Sequence, residues 1–294
     1  MTPASHLKSA ASLLVITLNL AFWIALALPI RLARSVVPPL APAVHRALDA
    51  IYRAAVRVDD FWLRRVIGLR WPLPDLALDA GRTQIVLANH ASWADIFLLQ
   101  SLLVSHGLVV KFLTKRELLA VPIVGLILWT FEFPLLRRTS RGGESEAERK
   151  QRDFDALRAA CGDARENPVA LVCFAEGTRA TPERRASRRS PHRHLLPPRV
   201  GGFGALCDGL GEALGGVVDC TIVYPSGPRP MTFWAFLSGG PRAARSAGIG
   251  LHAERIAPGE IPASREDRAR WLEARWAIKD ARIAEALASS PASV

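Results

Sequence analysis

Uncharged, mostly apolar residues run without a break from Ala11 to Ile30. Twenty helical residues span about 30 Å, the thickness of a bilayer's hydrocarbon core, so the run predicts a membrane helix. A cleaved signal peptide, with Ala25-Leu26-Ala27 as its processing site, is the competing reading. Arg31, Arg34 and Arg46 follow the run and only Lys8 precedes it as a basic flank, a bias that places the C-terminal side in the cytoplasm. Past Pro38, Pro39 and Pro42, apolar residues recur every three or four positions: Val44, Leu48, Ile51, Ala55, Val58, Trp62 and Val66. Arg46, Arg53, Arg57 and Arg64 share another face. This basic amphipathic helix suits either a lipid headgroup layer or ordinary packing against the rest of the chain.

From residue 71 onward the pattern changes to short apolar runs alternating with helical stretches. Residues 83–88, 108–113, 169–173 and 217–223 read as buried strands, a further strand ends at Arg137 and Arg138, and 249–256 reads as an edge strand. Helices are predicted from residue 96, over 123–130 as a buried or interfacial helix with core preferred, over 144–166 with Phe154, Leu157 and Cys161 inward, up to Leu214, and after Ser264 with Trp271, Trp276, Ile278 and Ile283 packed on the domain or its membrane side. Residues 181–193 carry arginines in adjacent pairs and two prolines, and read as an irregular basic loop. The tail after Ala288 is expected to fray. Such alternation predicts an α/β fold, a mixed sheet flanked by helices, behind an N-terminal membrane helix and the amphipathic helix. The chain divides into a membrane-anchoring region, 1–70, and a catalytic domain, 71–294.

Composition narrows the partners. The 294 residues are half hydrophobic, which excludes a disordered chain, and carry a net charge of +11 with a pI near 10.5. An anionic partner follows: a phospholipid surface, a phosphorylated substrate or nucleic acid. The basic loop lacks interleaved aromatic residues on which bases stack, so no nucleic acid is expected. Cys161, Cys173, Cys207 and Cys220 show no metal-ligand spacing and read as buried thiols; no histidine pair has zinc-site spacing, and no serine lies in a Gly-x-Ser-x-Gly turn. No metal and no bound cofactor are expected.

Two strand-end turns carry the candidate chemistry. His90 lies between the strand 83–88 and the helix that follows, with Asp95 five positions later on the first helical turn. From there a carboxylate can accept Nδ1–H, fix the tautomer and stabilise the imidazolium formed when Nε2 takes a proton. Ser92-x-x-Asp95 before an apolar run is also a helix-capping pattern. The second turn, Phe174-Ala175-Glu176-Gly177-Thr178-Arg179, follows the strand 169–173 and can face the same crevice.

His90 with Asp95, then Glu176-Gly177-Thr178-Arg179, resemble the first and third signature blocks of the glycerolipid acyltransferases, the family of the 1-acylglycerol-3-phosphate (lysophosphatidic acid) acyltransferases. Phe133-Pro134-Leu135-Leu136-Arg137-Arg138 is similar to the second block, with Glu132 where many members have glycine; Thr221-Ile222-Val223-Tyr224-Pro225 is similar to the fourth, with the tyrosine and single proline as departures. The resemblance covers roughly residues 70 to 240. It implies a glycerol-3-phosphate acyltransferase-like fold in a membrane-bound O-acyltransferase of phospholipid biosynthesis or remodelling. His90, oriented by Asp95, is then the general base, and the acyl group passes from acyl-CoA or an acyl carrier protein to a lysophospholipid, chiefly 1-acyl-sn-glycerol-3-phosphate. Arg138, Glu176, Gly177, Thr178 and Arg179 shape the acceptor-phosphate site, Pro225 shapes donor binding, and backbone amides near Gly177 supply part of the oxyanion stabilisation. The expected location is the inner (cytoplasmic) membrane, with the catalytic domain facing the cytoplasm and anionic phospholipid as partner. Lysocardiolipin or another acceptor, a thioester or lipid hydrolase, and a non-catalytic membrane-binding module are the alternatives.

Overall fold

The computed structural model describes residues 1–136, 145–225, 231–240 and 248–289. Arg137, Arg138 and the tail from residue 290 lie outside the described residues.

The β-branched and leucine-rich runs form the strands. A five-stranded sheet takes β1 (Thr83–Ala88), β2 (Val110–Phe112), β5 (Ala170–Cys173), β6 (Leu214–Val223) and β7 (Gly250–Ile256) in the order β2-β5-β1-β6-β7. The first four are parallel, and β7 closes one edge antiparallel to β6. β1, β5 and β6 are buried throughout, as central strands covered on both faces must be. A second, two-stranded parallel pair joins β3 (Thr114–Lys115) to β4 (Leu135–Leu136). Flanking helices are α3 (Asp95–Ser105), α4 (Pro122–Thr130), α5 (Glu146–Glu166), α6 (Pro182–Ser187), α7 (Val200–Leu210), α8 (Phe233–Leu237) and α9 (Arg265–Ser289). This is the mixed α/β sheet flanked by helices that the alternating pattern predicts.

Several local expectations change. Residues 182–187 are helical because Pro182 sits at the first helical turn, where its missing N–H has no intrahelical partner to lose, and Thr181 Oγ1 accepts the Arg184 N–H. α4 is not core: Gly125, Leu128 and Thr130 are buried, whereas Val124, Leu126 and Trp129 are exposed. Phe154 lies exposed beneath the Arg158 guanidinium, and Ile278 faces outward, so Leu157 with Cys161, and Leu272 with Trp276 and Ile283, form the inner faces. All four cysteines are buried free thiols.

The N-terminal helix α1 (Pro3–Val36) is the one helix among the described residues long and apolar enough to cross a membrane. It pairs with α2 (Ala41–Phe61), whose inner face is Val44, Leu48, Tyr52, Ala55, Val56 and Asp59; Val58 and Phe61, by contrast, are exposed. α1 also touches the α/β body at both ends. Ser9 Oγ donates to the Trp234 carbonyl at 2.7 Å, and Arg31 and Arg34 pair with Glu132 at 2.9 and 3.0 Å. Glu132 has a positive φ of 53°, a conformation that favours glycine, and its two arginine partners offset that strain. Ile16, Tyr52, Val56 and Leu63 belong to the same core as the sheet.

Candidate active site

The site assembles where β1, β5 and β6 end. Asn89 holds the first and last of these turns together: its Oδ1 accepts the Ile222 N–H at 2.8 Å, and its Nδ2 donates to the Ile222 carbonyl at 3.0 Å. His90 follows, with 18% of its side chain exposed. Its Nδ1 lies 2.8 Å from Asp95 Oδ2, and its ring stacks on Phe174 with centroids 4.1 Å apart.

Asp95 is wholly buried and begins α3. Oδ2 also accepts the N–H groups of Ala91 at 2.8 Å and Ser92 at 2.9 Å, and Oδ1 accepts the Tyr224 hydroxyl at 2.6 Å. Four donors offset the cost of burying the charge. One carboxylate thus both folds the turn, through the Ala91 and Ser92 N–H groups, and holds the imidazole. In the neutral tautomer that donates Nδ1–H to Asp95, Nε2 is the free acceptor. Ser92 is not the helix cap. Its hydroxyl accepts the Ala94 N–H and donates to the Met231 carbonyl at 2.7 Å.

The second turn is stitched to the first through backbone. Glu176 is wholly buried; Oε1 accepts the His90 N–H and Oε2 the Leu196 N–H, both at 2.9 Å. The Ala180 N–H donates to the His90 carbonyl at 2.7 Å. Glu176 thus faces the protein and sets the His90 backbone. Gly177 has a φ of 70°, which glycine accepts without strain, and its N–H donates to the Phe174 carbonyl at 2.9 Å. That amide is committed, so the oxyanion role expected near Gly177 does not fall to it. Thr178 and Arg179 are half-buried, and the Arg179 guanidinium lies 5.6 Å from the ring centre of the exposed Trp93. Pro225 follows Tyr224 and is half-buried. A cavity beside His90 is lined by Ala180, Arg185, His194, Ile222, Tyr224 and Ile283, among others. No group of metal-ligating side chains occurs among the described residues.

Burial pushes the Glu176 carboxyl up to about 8, against the opposing effect of its two N–H donors. The folded protein keeps this proton to about pH 8, whereas an ordinary glutamate releases it near 4.5. The contribution to stability is full below pH 4.5 and is lost as pH rises through 8. Glu176→Gln cannot ionise and is expected to flatten the fall in melting temperature between about pH 5 and 8. Its amide NH₂ would face the Leu196 N–H, at a cost of about 1–3 kcal/mol. Melting curves of both proteins across this range check the expectation, and parallel slopes would refute it.

Three residues that carry this arrangement, Tyr224, Phe174 and Lys279, have no signal of that role in the hydrophobic pattern. Tyr224 and Phe174 read as strand-end apolar residues. Lys279, on the helical face of α9, is wholly buried: Nζ donates to the Cys220 carbonyl at 2.6 Å and the Leu87 carbonyl at 3.3 Å, and pairs with Asp219. Arg275 Nε completes that pair at 2.7 Å from Asp219. The network ties α9 to the ends of β1 and β6, directly behind the His90 turn. A charged Asp219 inside an otherwise apolar strand was its one visible trace.

This geometry agrees with similarity to known proteins. The chain is 25% identical over 266 residues to 1-acyl-sn-glycerol-3-phosphate acyltransferase 3 of Arabidopsis thaliana, covering 84% of this chain and 66% of that protein. It is 24% identical to lysocardiolipin acyltransferase 1 of Gallus gallus (83% and 65%) and 23% identical to lysophosphatidylinositol acyltransferase 10 of Caenorhabditis elegans (74% and 56%). The chain thus spans just under two thirds of the first two relatives and less of the third. Its fold matches the crystal structure of the 1-acyl-sn-glycerophosphate (LPA) acyltransferase PlsC from Thermotoga maritima with a TM-score of 0.55, at 18% identity over 95% of this chain and 97% of that one. The family model described as Acyltransferase matches residues 75–227, the stretch that carries His90, Asp95, Glu176 and Tyr224, and by that match over half its length the chain belongs to the acyltransferase family.

Proposed function

We propose that this protein transfers a fatty acyl chain from acyl-CoA or an acyl carrier protein to the free hydroxyl of 1-acyl-sn-glycerol-3-phosphate, giving phosphatidic acid. The observation that carries the reading is the His90–Asp95 pair, 2.8 Å apart at a strand end of an acyltransferase-family fold. His90 Nε2 takes the proton of the acceptor hydroxyl as its oxygen attacks the thioester carbonyl carbon. The tetrahedral adduct then expels the thiolate, breaking the C–S bond, and the thiolate takes the proton back from the imidazolium. No covalent acyl-enzyme and no cofactor are needed; the thioester is a co-substrate. General-base catalysis supplies about 10²–10⁴-fold, so positioning of the two substrates contributes the rest.

The acceptor phosphate is assigned to Arg179 and Thr178, with Gly177 giving the turn its shape; Arg138 is assigned to the same site on the family resemblance alone. A guanidinium pairs with phosphate through two parallel hydrogen bonds, and Arg179 rests on the exposed Trp93 at the end of this turn. Pro225 is assigned to the donor side. The lysocardiolipin relative supports a second acceptor of the same chemistry, a lysophospholipid with a larger headgroup.

Membrane association is assigned to the outer face of α1. Leu14, Leu18 and Phe22 are each more than half exposed and recur every four residues, with Val58 and Phe61 of α2 and Trp129 of α4 on the helices packed against it. Because both ends of α1 are tied to the α/β body, the whole site is drawn to the lipid surface from which acceptor and acyl chains come. The proposed location is the cytoplasmic face of the inner membrane.

The test is acyl transfer by membranes containing the protein, with labelled oleoyl-CoA or oleoyl-acyl carrier protein as donor and lysophosphatidic acid, lysocardiolipin and lysophosphatidylinositol as acceptors. Labelled phosphatidic acid is the expected product. Label moving only to another lysolipid would replace the acceptor, and thioester consumed without lipid product would indicate hydrolysis.

A further inference from the structure

Asp95 has two carboxylate oxygens with different work. Oδ2 collects the imidazole N–H and two backbone N–H groups. Oδ1 has the Tyr224 hydroxyl at 2.6 Å, a short contact of the kind a carboxylate acceptor produces. Both residues are buried, so water does not stand in for the phenol. The chain has two tyrosines, Tyr52 and Tyr224, and both are buried with their hydroxyls engaged, as burial of a phenol requires.

The phenol reaches Asp95 from rigid structure. Tyr224 is the residue after β6, and Ile222, two residues before it, is bonded through both N–H and C=O to the Asn89 side chain. Asn89 immediately precedes His90, so imidazole, carboxylate and phenol are referred to one pair of strand ends. Such placement holds geometry more closely than a loop does.

Resting on the general-base reading of His90, we propose that Tyr224 is a positioning residue for the reaction: its hydroxyl anchors Asp95 Oδ1, turns Oδ2 toward the imidazole, and shares the carboxylate charge that the imidazolium meets. The phenol is suited to this work because it stays neutral. Burial and the adjacent Asp95 charge hold its proton well above the ordinary range for tyrosine. Without the hydroxyl, the full carboxylate charge acts on the imidazolium.

Other charged groups surround the pair. Glu176 and Arg179 come from the turn after β5, Arg185 from α6 and His194 from the segment after it, and Lys279 of α9 acts on Glu176 from behind the sheet. All are retained when only the Tyr224 hydroxyl changes, so a shift between variants reports that hydroxyl.

The experiment measures kcat and KM against pH, on the acceptor the wild type uses, for wild type, Tyr224→Phe and protein carrying 3-fluorotyrosine at position 224. Tyr224→Phe is expected to lower kcat about tenfold, with KM for both substrates within about twofold. It should raise the acid limb of the kcat/KM profile by about half a pH unit. The fluorinated phenol, a stronger donor of nearly the same size, should move that limb the other way. In an Asp95→Asn background, Tyr224→Phe should change kcat less than about twofold, because the carboxylate charge on which the hydroxyl acts is already gone. An acid limb that moves in neither variant, or a Tyr224→Phe loss of equal size in the Asp95→Asn background, would overturn the proposal. The underlying reading fails separately, if His90→Ala retains activity.

Discussion

His90→Ala is expected to abolish acyl transfer, with a loss of about 10²–10⁴-fold or more in kcat while the protein stays folded. The fold should survive because the bonds that hold this turn are made by the His90 backbone. Its N–H goes to Glu176 Oε1 at 2.9 Å, and its carbonyl accepts from Ala180 at 2.7 Å. Alanine keeps both. Asp95 would lose one of its four donors and retain Ala91, Ser92 and Tyr224. The Nε2 proton acceptor disappears, together with the Nδ1 contact to Asp95 and the ring's stack on Phe174. Rates in membranes at matched protein level, beside a melting curve, decide the matter; a mutant with wild-type rate would end the general-base reading.

Asp95→Asn is expected to cost about 10²-fold or more in kcat, with substrate KM nearly unchanged. An asparagine fits the site if its amide oxygen takes the place of Oδ2, where it accepts from Ala91 and Ser92 and from the imidazole. Its NH₂ then faces Tyr224, whose hydroxyl oxygen can accept in place of donating. Geometry is preserved and charge is lost. The imidazolium formed during attack no longer has a carboxylate 2.8 Å away to stabilise it. The acid limb of the pH–rate profile should move down, since His90 becomes a weaker base, which is the reverse of the shift expected for Tyr224→Phe. Single-turnover rates across pH test this, and a limb that moves up would contradict it.

The main elements were legible because their signals are local. A run of β-branched and leucine residues bounded by polar turns marks β1, β5 and β6 regardless of what lies elsewhere in the chain. Likewise His90 and Asp95 lie five residues apart, close enough that one strand-to-helix turn brings them together. The exposed pattern of α4 was not legible: a nine-residue helix apolar up to its final Thr130 looks alike whether covered by protein or left for lipid. Which face of α2 turns inward depended on α1 and α3, which pack on it.

The amino-acid sequence alone therefore determined the α/β class, the positions of the main buried strands, the apolar N-terminal helix and the two strand-end turns with His90, Asp95 and the Glu176–Arg179 stretch. Tertiary structure decided how these groups are used. It turned Glu176 inward onto the His90 backbone 86 residues away, brought Tyr224 onto Asp95 across 129 residues, and buried Lys279 against carbonyls of β1 and β6. The physical reason is the same in each case. A buried polar group is stable only with a partner, and the partner is chosen by which strand ends and helices fold against each other, a relation that no stretch of local sequence contains.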